Sequence, residues 1–454
     1  MSNDVDVLVI GAGACGLAAA IAAHDAGASV AIVEKMDRPG GNSSLSTGSV
    51  PAANSRFQRE AGITDDPKTY VRDLMGIAKE TDDLALVERL AEVSAETIEW
   101  LIDTLGARMA LITAYKHIGH SVPRLHAPVS RRGQDLVDDL LRFVEERDIP
   151  LAVGNAVEGL IFEDGAVKGA RIRTAEGMSE IRAGKTILAV NGFAGDPELV
   201  KRYCPEIAGA QYFGARGSTG EAIRWGEEVG ADFANMAAYQ GYAAVAYPHG
   251  SLLSWTTIEK GGILVGADGK RFGDESTGYS GYARIVLAQG EYAYAIFDQK
   301  IFDIAALEEE FIELVKFGGV KKADTIEDAA RLMDLDPEAV AHEVALYNAA
   351  VSGQSVDRFG RKDFGLGALK APFYVCRVTP GLFHTQGGLR IDRDARVLAK
   401  SGQPIPNLFA GGGAAAGISG RAGALGYASG NGLLSAIALG RIAGIVAAEE
   451  LQRS

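Results

Sequence analysis

The feature that most constrains this chain lies in its first 34 residues. A β-branched run, Asp4–Ile10 (DVDVLVI), breaks into Gly11-Ala12-Gly13-Ala14-Cys15-Gly16, and Gly16–Gly27 is alanine-rich and helical in pattern. A second β-branched run, Ala28–Glu34 (ASVAIVE), follows. Short apolar runs bounded by glycine suit strands buried on both faces of a parallel sheet. A GxGxxG that follows a strand and opens a helix is a turn built to receive a dinucleotide pyrophosphate. Gly11 permits the tight turn, Gly13 lets backbone approach the phosphates, and Gly16 lets helix pack on strand. The helix N-terminus adds free N–H groups and the positive end of its dipole. Glu34 stands where an acidic side chain accepts ribose hydroxyls, which argues against a 2′-phosphate.

What comes next separates FAD from NAD. Lys35–Gly48 (KMDRPGGNSSLSTG) is a glycine-hydroxyl loop straight after the acidic residue, where an NAD domain runs into another helix. Asn407–Gly413 (NLFAGGG) is a strand running into glycines, and Ser429–Leu434 (SGNGLL) opens a last helix. A second helix N-terminus at the cofactor stabilises negative charge on a reduced flavin. The chain has 57 glycines, and the clusters they form in these segments point to cofactor contact rather than disorder.

A net charge of −14 argues against a nucleic-acid partner, whose footprint would be basic. Cys15, Cys204 and Cys376 lie far apart with no CxxC, so they read as buried thiols in a reducing compartment. Met1–Val5 is acidic rather than signal-like, and the apolar stretch at 433–448 is interrupted by Gly440, Arg441 and Gly444. The expectation is a cytoplasmic protein with no membrane span. At 454 residues two domains are natural. Dinucleotide-type material at both ends predicts an α/β fold: a discontinuous, Rossmann-like FAD-binding domain at 1–236 and 379–454, with an α+β capping domain inserted at 237–378. Gly214–Gly220 (GARGSTG) has no strand leading into it, so no second nucleotide site is expected. Electrons then pass to or from an external quinone, protein carrier or oxygen.

Taken together, these segments resemble the fumarate reductase/succinate dehydrogenase flavoprotein family, which also holds ketosteroid dehydrogenases and urocanate reductases. The resemblance is carried by GAGACGLAAA, the EK-to-PGGNSSLSTG loop, RLHAP at 124–128, AVNGFAGDPE at 189–198, GSTGEAIRWGEEVGAD at 217–232, GKRFGDES at 269–276, HTQGGLRID at 384–392 and the C-terminal AGGG…SGNGLL. It covers nearly the whole chain. It implies FAD held by Gly11, Gly13, Ala14, Cys15, Gly16, Glu34, Lys35, Gly41, Asn42, Ser43, Ser44, Val157, Asn191, Gly192, Gly388, Gly412, Gly413, Ser429, Gly430, Asn431 and Leu433. The family's glutamate after the C-terminal Ala-Gly pair is a glycine here. No histidine stands in the 40–48 loop where succinate dehydrogenases attach FAD, so the cofactor is expected to be non-covalent.

Departures from the fumarate reductases bear on the substrate. Aligning GKRF puts Ile258 at their proton-delivering arginine; the cap histidine becomes Tyr242, and the arginine ahead of the last GN pair becomes Tyr427. The HT pair survives as His384-Thr385. Arginine forks suit a carboxylate, whereas tyrosine hydroxyls suit a neutral carbonyl. The resemblance is therefore closer to the ketosteroid dehydrogenases, in which a tyrosine removes the proton beside a ketone. Tyr279, just past GKRFGDES, falls near that position, with Tyr282 as its rival; Tyr427 and His384 are candidate substrate contacts. A tyrosine of ordinary pKa ~10 needs nearby donors or positive charge to serve as a base.

The segment Lys116–Arg132 carries Arg124, His126 and two further histidines without carboxylate or cysteine partners at ligand spacing, so no metal is expected. It reads either as a solvated loop or as a lining of the substrate or flavin cleft. The leading reading is an FAD enzyme interconverting a C–C single and double bond next to a carbonyl of a small molecule. The alternatives are a reductase of an α,β-unsaturated acid, anchored by the 116–132 cations or Arg421, and a non-catalytic flavoprotein electron carrier.

Overall fold

In a computed structural model, residues 4–80, 82–114 and 116–453 are described. The chain forms two compact units: one comprises the residues up to Pro205, Gly214–Gln240 and His384 onward, and the other comprises Glu206–Phe213 and Gly241–Phe383.

In the first unit, β1 (Val5–Ile10) is central, since Val7, Leu8 and Val9 are wholly buried and only an interior strand covers both faces. It lies parallel to β2 (Val30–Val33) on one side and β4 (Gly177–Leu188) on the other. Outside β2 runs β3 (Leu151–Ala152), also parallel; outside β4 runs parallel β6 (Pro404–Ala410), edged by antiparallel β5 (Arg396–Leu398). The hairpin Ala156–Glu163 and Ala166–Thr174 extends the early part of β4. The GxGxxG turn leads into α1 (Ala14–Asp25), whose residues from Ala14 to Ala23 are all buried.

The last helix, α2 (Asn431–Gln452), packs along α1. By length and composition it is apolar enough to cross a membrane, but 78% of its most apolar window is buried inside this unit. Gly440, Arg441 and Gly444 do not break it. Instead, a Cβ at Gly440 would overlap the Cys15 carbonyl, and one at Gly444 the Ala19 carbonyl, so the glycines let the two backbones touch. Arg441 points outward to Glu96 at 2.7 Å.

The second unit is α+β. Its strands Ile263–Val265, Ala293–Asp298 and the early part of Phe373–Thr385 pair antiparallel in that order. Helices Tyr279–Leu287, Gln299–Ala305, Glu309–Lys316, Ile326–Arg331 and Pro337–Val351 complete a core that includes Ile263, Leu264, Ile296, Phe297, Val375 and Cys376. Arg271, Glu275, Asp357 and Arg361 form a buried ion network, with Arg271 to Glu275 at 2.7 Å and Arg361 to Glu275 at 3.2 Å.

The helix seam makes a test. Gly444→Val places branched carbons on the Ala19 carbonyl, and overpacking of this kind costs about 1–3 kcal/mol or more. A lower urea midpoint with an unchanged slope is expected; a midpoint equal to that of the parent protein would show that the helices separate freely.

Candidate functional site

The parallel strands end together, and the candidate site begins there. Gly11 N–H donates to the Val33 carbonyl at 2.8 Å, Ala189 N–H to Ile10 at 2.8 Å and Gly411 N–H to Leu188 at 3.1 Å. The segments after β1, β2, β4 and β6 therefore meet at one carboxyl edge, where ligands of open α/β sheets bind. This edge gathers Gly11–Gly16, Glu34, Asn191, Gly192, Gly412 and Gly413.

At the turn the glycines have separate reasons. Gly11 has φ +104°, and a Cβ on Gly16 would overlap the Gly11 carbonyl, so both are required by the turn itself. Gly13 is different: a Cβ there would meet nothing of the protein closer than Gly40 O at 3.6 Å. Packing does not require glycine at 13, but a pyrophosphate lying on the turn does. The loop after β2 folds back here: Gly40 N–H donates to Ala12 O at 2.8 Å and Ala14 N–H to Ser43 Oγ at 3.2 Å. Gly41–Leu45 (with Asn42, Ser43 and Ser44) forms one short helix. Glu34 accepts from the Ala12 and Met36 N–H groups, both at 2.8 Å, which fixes its carboxylate at the edge. Asn155 N–H bonds Glu34 O at 2.9 Å; Val157 follows two residues on, half-buried. Cys15 is buried against Gly411, and burial pushes its thiol up to about 12, so it stays protonated and unreactive.

Asn191 takes φ +64° and donates to Ser218 Oγ at 2.7 Å. Thr385 Oγ1 accepts from Phe193 N–H at 3.0 Å and fills the place a Cβ on Gly192 would need. A Cβ on Gly388 would sit 2.6 Å from Ala414 O, and one on Gly413 would overlap Asn191 Oδ1. These glycines let three loops touch backbone to backbone.

Two helices begin at this edge without an acidic cap. Neither α1, capped by Gly13, nor α2, capped by Gly430, has a side-chain cap or an acidic residue in its first turn. By contrast, the helices at Pro67, Leu84, Pro197 and Pro337 are each capped by an aspartate. A bare, positive N-terminus fits an anionic cofactor. With a Cβ at Gly13 clashing with nothing of the protein, this donor set fits FAD: the turn and α1 for its pyrophosphate, Glu34 for its ribose. Asn431 is held internally, donating to Ile418 O at 3.0 Å, while Leu433 is buried. Residues invisible as motifs hold this end: His120 Nε2 donates to Ser429 O at 2.9 Å, and Asp82 accepts from Gly420 N–H at 2.7 Å.

His384 is half-buried with its ring against Gly432 in the first turn of α2, and burial lowers its pKa, so it is neutral. Tyr427 is half-buried just before that helix. In the second unit, Tyr279 opens its helix half-buried, its ring 5.0 Å from that of Tyr242 and 6.4 Å from Trp255. Tyr282 is 0% exposed, wedged against Gly273 and Phe272, and its hydroxyl has no partner among the described residues. Burial raises its pKa far above that of a working base.

The Lys116–Arg132 segment departs from both of its readings where Arg124 is concerned. Arg124 is wholly buried, bound to Asp65 at 2.7 Å and Asp73 at 2.5 Å, so it is neither solvated nor free to anchor a carboxylate. His126 is also buried, sharing a hydrogen bond of 3.0 Å with Ser55. Arg421 is exposed. Among the described residues no cluster could hold a metal ion.

Three tests follow from this geometry. Acid or heat denaturation should release intact FAD into the supernatant; flavin retained by the precipitate would mean a covalent link. Gly13→Val should lose FAD yet keep the apoprotein fold, because the new side chain meets FAD's place rather than the protein's. The third test concerns pH. Burial lowers His120 and His126 from 6.5 to about 4. Both stay neutral in the fold while the unfolded chain takes up protons below 6.5, so stability is full above 6.5 and falls progressively towards 4. Urea midpoints at pH 7 and pH 5 should differ, and His126→Gln should reduce that difference.

Comparison with known proteins agrees with this construction. Residues 6–433 match the FAD binding domain family. A probable fumarate reductase, Ifc3, of Shewanella frigidimarina is 31% identical over 453 residues, covering 99% of this chain and 75% of the relative. The open conformation of a flavocytochrome c3 fumarate reductase superposes with a TM-score of 0.85 at 30% identity, over 98% of this chain and 78% of that one. The 3-ketosteroid-Δ4-(5α)-dehydrogenase of Rhodococcus jostii RHA1 gives 0.77 at 25% identity, over 99% and 98%. The chain belongs to the FAD binding domain family and is an FAD-dependent oxidoreductase.

Proposed function

We propose that this oxidoreductase interconverts a carbon–carbon single and double bond beside the carbonyl of a small neutral substrate. The observation that carries the neutral-substrate reading is the state of the buried cations. Arg124, Arg271 and Arg361, the arginines buried among the described residues, are each bound to carboxylates of the protein. None of these three is left for a dicarboxylate, whose desolvation needs a fixed positive partner. Ile258, where fumarate reductases place an arginine, is 1% exposed, and Tyr242 gives its hydroxyl to Leu253 O at 2.9 Å.

Bound FAD supplies the hydride acceptor or donor. Tyr279 exchanges the proton on the carbon next to the one that exchanges hydride. It is half-buried, unlike the enclosed Tyr282, and it sits at a helix N-terminus without an acidic residue in the first turn, where the dipole favours a phenolate. Tyr427 donates a hydrogen bond to the substrate carbonyl oxygen, stabilising the charge that develops there. His384, neutral against the first turn of α2, adds a second donor or acceptor at that end. Electrons leave or arrive through an external quinone, protein carrier or oxygen. Three buried thiols, none in a disulfide, support a reducing compartment, the cytoplasm. The fumarate reductases among these relatives support a second reading, reduction of an unsaturated acid.

Anaerobic mixing with a substrate panel separates the two. A cyclic enone should reoxidise the reduced flavin while fumarate leaves it bleached; equal turnover of fumarate would reject the neutral-substrate reading. Tyr279→Phe should lower turnover by about 10²–10⁴-fold with FAD content unchanged. Tyr427→Phe should raise KM as well. Full activity in Tyr279→Phe would remove that residue from the proton step.

A further inference from the structure

We propose that Glu221 is a positioning residue for the cofactor, fastening the segment Ala215–Glu221 to the loops that hold FAD through a salt bridge to Lys35. The family resemblance makes Lys35 a cofactor residue, yet its ammonium is already committed within the protein. Lys35 Nζ donates to Glu221 Oε1 at 2.5 Å and to Thr219 Oγ1 at 2.9 Å, and Thr219 donates to the same Glu221 oxygen at 2.6 Å. The pair is partly shielded, with side chains 27% and 14% exposed, so it is stronger than a free surface pair. Arg224, 3.8 Å from the same oxygen, is a weaker neighbour.

The same short segment is tied at two further places. Ala215 N–H donates to Asn42 Oδ1 at 2.6 Å, on the loop after β2. Ser218 accepts Asn191 Nδ2 at 2.7 Å and, through its carbonyl, Gly195 N–H at 2.8 Å, on the loop after β4. A Cβ at Gly217 would stand 3.0 Å from Lys35 Cε, so this backbone lies directly on the lysine stem. Two cofactor loops from distant parts of the chain are thus pinned at three points by one seven-residue stretch. Lys35, Asn42 and Asn191 act on this stretch with their side chains. Its loosening frees both loops at once, and FAD then binds loops that must first be ordered.

The test measures FAD binding by the apoprotein, from quenching of flavin fluorescence, in Lys35→Met, Glu221→Gln and the double variant. Each single change should raise the FAD Kd about tenfold, and the double change should raise it no further, because both remove one interaction. The apoprotein Tm should stay near that of the parent. If Lys35→Met weakens FAD while Glu221→Gln does not, or if the two effects multiply, Lys35 acts on FAD directly and the proposal fails. A fall in apoprotein Tm matching the loss of affinity would also overturn it, as a general stability role. Should these variants not fold, Thr219→Val keeps both charges; it should raise the Kd about threefold, and an unchanged Kd would refute the clasp.

Discussion

The first unit depends on one constraint: backbone must lie on backbone, with no side chain between, where the start of the chain meets its end. Gly16 sits on the Gly11 carbonyl, Gly411 on the Cys15 sulfur, and Gly440 and Gly444 on the carbonyls of Cys15 and Ala19. Each is a place where a Cβ has no room. This contact sets α1 against α2, and so brings two uncapped helix N-termini to the carboxyl edge of the same sheet. The candidate cofactor site, which gathers the turn at residue 11 and the helix from residue 431, is a consequence of that approach.

Buried charge in this unit also holds segments of the protein together. Arg124 joins Asp65 to Asp73, and Tyr70 lies against its guanidinium at 4.7 Å. Breaking such a pair by removing one partner costs about 3–5 kcal/mol, because a charge is left buried without compensation. In the second unit, Arg271 and Arg361 do the same work among Glu275 and Asp357.

The sequence by itself determined the βαβ opening, the cofactor class and the family, because these depend on local chemistry. A glycine needed for a turn or a close approach is visible as a letter, and so is an acidic residue closing a strand. The last helix was also legible, although the role of Gly440 and Gly444 within it was not: a glycine that breaks a helix and one that seats it on another are the same residue in one dimension. Only tertiary structure showed that Arg124, read as solvated or as a cleft residue, is sealed between two aspartates brought from 59 and 51 residues away. Only tertiary structure distinguished enclosed Tyr282 from half-buried Tyr279, three residues apart on one helix. It also decided that the ammonium of Lys35 meets Glu221, 186 residues on, because pairing across such a distance is set by packing and leaves no trace in spacing.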